Sequence, residues 1–255
     1  MSEIAESSNE VNALSLLNSG SETAVSEEVI AKTTSSSRFI PTLSVVYGTS
    51  KICKIERKAF AGDFALAGQT NLGSSIEVNY LFYRFRASEW DNAKGEFGVT
   101  EYHIPYDKNG VPNISVTSNK AYCGLVNKFG PKKKIGETVL HDGIEFLVWI
   151  PEQKVFAVLY CKGALSKSVA PIMQAGRGRS VQLTTRYCDS KKNANLSWYE
   201  LDVVPLGRGV KGVSGLAVEQ TIEIPLDILN KTVTLFLQPT SGVTVDDTGA
   251  TERDR

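Results

Sequence analysis

The chain is poor in the residues that most enzymes rely on. His103 and His141 are the only histidines among 255 residues, and neither stands in a cluster of metal-ligating side chains. Four cysteines, Cys53, Cys123, Cys161 and Cys188, lie too far apart for a zinc knuckle or a thioredoxin-like redox pair. They read as reduced thiols packed as small hydrophobes, and no metal or other cofactor is expected. No G-x-S-x-G nucleophile elbow lies near either histidine. Gly207-Arg208-Gly209 lacks the lysine-serine/threonine ending of a phosphate-binding loop, and Asp246-Asp247 falls in a presumed tail. The expectation is a protein that is not an enzyme, with no catalytic residues.

Other absences narrow the class further. No apolar run approaches the roughly 20 residues that a membrane-spanning helix needs. The N-terminus lacks the basic start and apolar centre of a signal peptide, so the expected location is cytoplasmic, with no membrane partner. No repeat recurs at a fixed period of about 20–50 residues, which argues against a solenoid or propeller.

What is present is an ordinary globular composition, 42% hydrophobic and 22% charged, with ample material for a core. The zero net charge conceals an uneven distribution. Residues 1–37 hold six acids and one base, and residues 240–255 hold four acids and two bases. The stretch between, 38–239, keeps 25 basic and 18 acidic residues, a net +7. A basic body between acidic tails suits a nucleic-acid binder, and also any domain with solvated ends. The organisation read from this is a flexible, acidic, Ser-rich arm over 1–37, a single β-rich domain over 38–239, and a disordered tail over 240–255. Val11, Leu14 and Leu17 have the spacing of a short amphipathic helix within the arm.

Within the body, turn-punctuated apolar runs predict many short strands. Phe39 to Tyr47 reads as a first strand, restricted to an edge or strand start by Pro41. Gly143 to Ile150 and Lys154 to Cys161, separated by Pro151-Glu152-Gln153, predict an antiparallel hairpin in the middle of a sheet. Val181 to Tyr187 and Leu196 to Val204 predict a second pair. Val99 to Ile104, Ile114 to Thr117 and Thr221 to Pro225 predict further strands, and Asp107 to Gly110 a turn. Ala164 to Ala175 reads as helical, interrupted at Pro171. Leu226 to Leu237 fits helix or strand. The fold class expected is mainly β, an OB-like β-barrel or a sandwich with few short helices.

The organising stretch is Ile76 to Asp91. Read with a strand's period of two, Ile76, Val78, Tyr80, Phe82, Arg84 and Arg86 share one face. Ile76 to Phe82 then reads as core, and Arg84, Arg86 and Trp90 as exposed contacts near the following polar loop. Single strands of nucleic acid are held by aromatic faces that stack on bases beside cations that follow the phosphates. The candidate nucleic-acid-binding residues are Arg84, Arg86, Trp90, Lys132, Lys133, Lys134, Arg177, Arg179, Arg186, Lys191, Lys192 and Trp198. Arg177 and Arg179, flanked by glycines, are the expected phosphate clamp. The basic runs Lys51 to Lys58 and Lys132 to Lys134 are expected to line a groove. Each feature also has a bland reading: aromatics as core, lysines as a solvated loop.

Two stretches carry a resemblance. One runs from Leu43-Ser44-Val45-Val46-Tyr47-Gly48-Thr49-Ser50-Lys51 through Gly62-Asp63-Phe64-Ala65-Leu66 and Leu72-Gly73 to Ile76-Glu77-Val78. The other is Val181-Gln182-Leu183-Thr184-Thr185, followed by Ser197-Trp198-Tyr199 and Pro205. This layout resembles phage-encoded single-stranded-DNA-binding proteins and related replication accessories with an oligonucleotide-binding barrel. The resemblance implies a β-barrel, binding to single-stranded DNA without base preference in phage replication or recombination, and a place in the host cytoplasm. The C-terminus departs from the family, being only mildly acidic and ending in Asp254-Arg255. Recruitment of replication proteins would then fall to the acidic N-terminal arm. The alternative expectation is a virion structural or interaction protein with a β-sandwich body.

Overall fold

The two expected hairpins form, and between them lies the long central strand. The computed structural model describes residues 40–105, 120–190 and 197–237. In chain order the elements are β1 (Thr42–Val45), α1 (Lys51–Lys54), β2 (Phe64–Leu66), β3 (Thr70–Gly73), β4 (Ser75–Asp91) and β5 (Glu96–His103). After them come α2 (Lys120–Phe129), β6 (Lys134–Ile135), β7 (Thr138–Ile150), β8 (Val155–Lys162), α3 (Ala164–Lys167) and α4 (Ala170–Ala175). The remainder comprises β9 (Arg179–Asp189), β10 (Ser197–Val210), β11 (Thr221–Ile222) and α5 (Leu226–Leu237). The expected arm, the tail, the 107–110 turn, the 114–117 strand, Lys191 and Lys192 lie outside the described residues.

All eleven strands join one sheet in the order β11-β10-β9-β4-β7-β8-β1-β2-β3, with β5 on β4 and β6 on β7. The architecture is mainly β, as expected, but the sheet is not closed into a barrel: its path ends at β11 and β3. It curls instead. The Thr185 hydroxyl donates to the Gly62 carbonyl, and Tyr47 meets Tyr199 edge-on at 5.8 Å, so the β1–β2 corner touches the far part of the β9–β10 hairpin. Side chains, not a strand ladder, shut this gap. Gly62 sits there with φ +98°, and a Cβ would come within 2.9 Å of the Tyr199 ring. Glycine is needed for both reasons.

Each sheet face has its own core. On the first, Leu43, Phe64, Ile76, Val78, Phe146 and Leu183 are buried beneath Leu165, Val169 and Ile172 of the α3–α4 segment. Pro171 does not interrupt this segment. The break falls before it, at Ser168–Val169, and Pro171 stands in the first turn of α4. A proline there removes an N–H that would have no helical partner anyway. Farther along the same face, α2 lays Leu125 and Phe129 on Ala87 and Leu140. On the second face, Leu229, Val233 and Phe236 of α5 cover Phe82, Leu147, Trp149 and Phe156. That spacing along α5 makes one apolar helical stripe, which resolves the helix-or-strand ambiguity of 226–237. Complete burial of each such side chain contributes about 1.5–3 kcal/mol.

A bulge in β4 overturns the expected face. The β4–β7 register shifts between Tyr80 and Phe82, leaving Leu81 as the extra residue. Ile76, Val78 and Tyr80 therefore pack in the first core, while Phe82 lies in the second. Arg84 and Arg86 follow Phe82, not Tyr80. A period of two carried through a bulge assigns every later side chain to the wrong side.

Candidate nucleic-acid interface

Beyond the bulge, the second face changes from apolar to ionic and then to aromatic. Directly paired residues share a face, so the ladder gives the order of side chains. Arg84 pairs with Glu145 and Glu145 with Tyr160; Tyr102 pairs with Arg86, then Gly143 and Lys162. Thr100, Ser88 and His141 form the next row, and Phe97, Trp90, Val139 and Lys134 the last.

Arg84 closes the covered part of this face. Its guanidinium donates from Nε to Glu145 at 2.8 Å and from Nη1 to the Phe236 carbonyl near the end of α5. It lies 3.8 Å over the Tyr102 ring and 4.5 Å over that of Phe236. A helix's last carbonyls lack partners within the helix, and a cation there satisfies one and complements the dipole. Arg84 is buried, so it is not the exposed contact expected from the sequence. It anchors α5 instead.

Arg86 shares the same carboxylate. Its Nη1 donates to Glu145 at 3.2 Å and its Nε to Ser88 at 2.9 Å, while the guanidinium stands 4.9 Å from the Tyr160 ring and 5.5 Å from that of Phe97. Burial works against its charge, but Glu145, with Tyr160 and Tyr102, outweighs this and holds the guanidinium firmly protonated. One carboxylate between two guanidiniums leaves the cluster with an excess positive charge. Gly143 makes the close packing possible, because a Cβ would lie 2.8 Å from the Tyr160 ring and 2.5 Å from the Cys161 carbonyl.

The end of the face is an aromatic platform. Trp90 and His141 lie nearly parallel, at 12° and 6.2 Å between centroids, and Phe97 meets Trp90 edge-on at 4.8 Å. Trp90, Phe97, Tyr102, His141 and Tyr160 are each half-buried. Lys132, Lys133 and Lys134 are exposed on the loop and short strand at this edge. Lys133 is engaged with Asp142 at 2.6 Å. The structure thus brings together Arg86, Trp90 and Lys132–Lys134 from the sequence-based candidates. It adds Phe97, Tyr102, His141, Tyr160 and Lys162, which only the ladder register could have placed here.

Other candidates lie elsewhere. Arg177 lies 3.9 Å over the Phe82 ring and donates to the Leu81 carbonyl at 3.2 Å, so it supports the bulge. Next to it, Gly178 donates to Tyr80 and accepts from Val210, which makes the Gly176–Arg179 turn a fixed crossing. Arg179 opens β9, half-buried. Arg186 is paired with Glu200 at 2.9 Å and Asp202 at 3.5 Å, and the Trp198 indole donates to Glu200 at 3.0 Å. That indole N–H holds the Glu200 carboxyl below its ordinary range, opposed by desolvation and aided by Cys188 and Arg186.

The basic runs Lys51–Lys58 and Lys132–Lys134 do not line one groove. The first sits beside the β9–β10 tips at the Ser75 end of β4, and the second beside Asp91 at the other end. The 17 residues of β4 separate them by roughly 50 Å along the strand.

Among the described residues there is no group of three or more His, Cys, Asp or Glu side chains able to hold a metal ion. No described helix is long and apolar enough to cross a membrane. No family model, curated protein or solved structure matches the chain.

Proposed function

We propose that the protein binds single-stranded DNA, without base preference, on the far half of the second sheet face. The observation that carries this reading is the partly exposed aromatic row of Trp90, Phe97, Tyr102, His141 and Tyr160 beside the positive excess around Arg86. Every base offers a π-face, so such a row accepts bases without reading their edges, while the cations follow the backbone. The reading does not need the closed barrel of oligonucleotide-binding folds, since one sheet face supplies both elements. The resemblance to phage single-stranded-DNA-binding proteins supports DNA as the ligand and phage replication or recombination as the setting.

Titration of a labelled oligonucleotide at two salt concentrations tests the proposal. Affinity should fall as salt rises, because phosphate contacts release condensed counterions. Trp90→Ala should weaken binding by about tenfold, within the range of one lost base stack. Absence of binding at low salt, or an affinity indifferent to salt, would overturn the reading.

A further inference from the structure

The opposite end of β4 carries a second surface with the same two ingredients. Phe60 is 80% exposed and Ile55 70%, on the connection between α1 and β2. Lys51, Lys54, Arg57 and Lys58, all exposed, share this short run with them, and Glu56 is its only acid. Glu56 is shared by Lys58 at 3.1 Å and Lys51 at 3.8 Å. Lys54 and Arg57 have no carboxylate partner among the described residues.

The connection is fixed rather than loosely draped. Ile52 is buried against Val46, Ala59 and Ala65, and the Lys58 N–H donates to the Ile52 carbonyl. The Phe60 N–H donates to the buried Asp63 carboxylate, which also accepts from Asn71. Arg57 is held at φ +54°, a left-handed conformation that a residue with a Cβ adopts only at a cost. The fold therefore spends backbone strain and exposed apolar area on holding an aromatic ring in water among cations.

Resting on the reading of the aromatic strip, we propose that this connection is a second, separate contact for single-stranded nucleic acid. Phe60 stacks on a base, and Lys54 and Arg57 meet the flanking phosphates. Tyr187, 57% exposed and edge-on to Tyr199 at 5.6 Å, extends the aromatic surface on the neighbouring hairpin. A lipid surface fits less well, because Glu56, Arg57 and Lys58 separate Ile55 from Phe60 and prevent a continuous apolar cap. Two contacts at opposite ends of a 17-residue strand allow the protein to hold two strands, or two distant parts of one strand.

Hexanucleotides test this, being too short to span both ends. Native mass spectrometry of the full chain should show two bound per protein. The double variant Phe60→Ser/Arg57→Gly should bind one. Both changes are at exposed positions, and glycine relieves the left-handed backbone, so circular dichroism should be unchanged. Trp90→Ala should weaken one of the two by about tenfold, and combining all three changes should leave only that weakened binding. A single hexanucleotide on the unmodified protein, unaffected by Phe60→Ser/Arg57→Gly, would overturn the second contact and leave the strip standing. That result together with binding of anionic vesicles, lost in the double variant, would assign the connection to a lipid surface. No hexanucleotide bound by the unmodified protein would overturn both readings. Loss of all binding in the double variant, with the fold intact, would overturn the strip and the two-site proposal together.

Discussion

The two halves of β4 solve the same problem differently. In the half that ends at Phe82, Ile76, Val78 and Tyr80 pack beneath the α3–α4 segment on one face, and Leu81 and Phe82 beneath α5 on the other. Beyond Arg84 the first face is covered by α2, while no described helix covers the second, which keeps a partly exposed row of rings and charges. Apolar side chains without partners in their own sheet recruit a helix, because burial is what stabilises them. Arg84 and Arg86 share the Glu145 carboxylate within the sheet and stand over the Tyr102 and Tyr160 rings, so that part of the face is held without a helix across it. The junction is Arg84, which belongs to both halves through Glu145 and the Phe236 carbonyl.

Breaking that junction should have the largest effect. Glu145→Gln leaves two closely packed guanidiniums without their carboxylate, and removing one partner of a buried ion pair costs about 3–5 kcal/mol. Urea denaturation should show a loss of that order, and a change under about 1 kcal/mol would mean that the arginines find another counter-charge.

Phe236→Ala attacks only the covered half. Emptying this buried site should cost about 3 kcal/mol by the same measurement. Oligonucleotide affinity at a temperature where the variant is folded should stay near that of the unmodified protein. Equal losses of stability and binding would show that the halves do not act separately.

Arg177→Ala sharpens the boundary between them. It removes the cation on the Phe82 ring and the donor to the bulge carbonyl, and should cost about 1–2 kcal/mol. Its effect on the salt dependence of binding should be negligible. A lower salt slope would return Arg177 to the role of phosphate contact first expected of it.

The smallest effect concerns the covered side of the open half. His103 is fully buried, flat against Phe85 at 5.7 Å, and neither ring nitrogen has a hydrogen-bond partner among the described residues. Burial lowers its pKa from the ordinary 6.5. Below that value the unfolded chain takes up a proton that the folded protein resists, so the stability contributed at higher pH is lost as pH falls. Denaturation midpoints measured from pH 7.5 to 5 should decline less in His103→Leu than in the unmodified chain. An identical decline would assign the acid sensitivity to other groups.

The central strand, both hairpins and the mainly β class were legible because period, β-branched content and turn residues act locally. Leu226–Leu237 was ambiguous because Thr232 to Leu237 favours a strand by local propensity, and only packing on Phe82, Trp149 and Phe156 selects the helix. Helix α2 was not anticipated. Of the candidate site, the placement of Arg86 and Trp90 on one strand was legible. Their partners Phe97, His141 and Tyr160 lie on three other strands and became visible only through the register.

By itself, then, the sequence determined the mainly β class, the central strand and its two flanking hairpins, and that aromatics and cations occur together around Ile76–Asp91. Tertiary structure decided which of them meet. Side-chain direction in a strand has a period of two, so one extra residue at Leu81 moves Phe82, Arg84 and Arg86 to the other face. The contacts that brace this bulge, from Arg177 and Gly178 to the Leu81 and Tyr80 carbonyls, come from nearly 100 residues away in sequence.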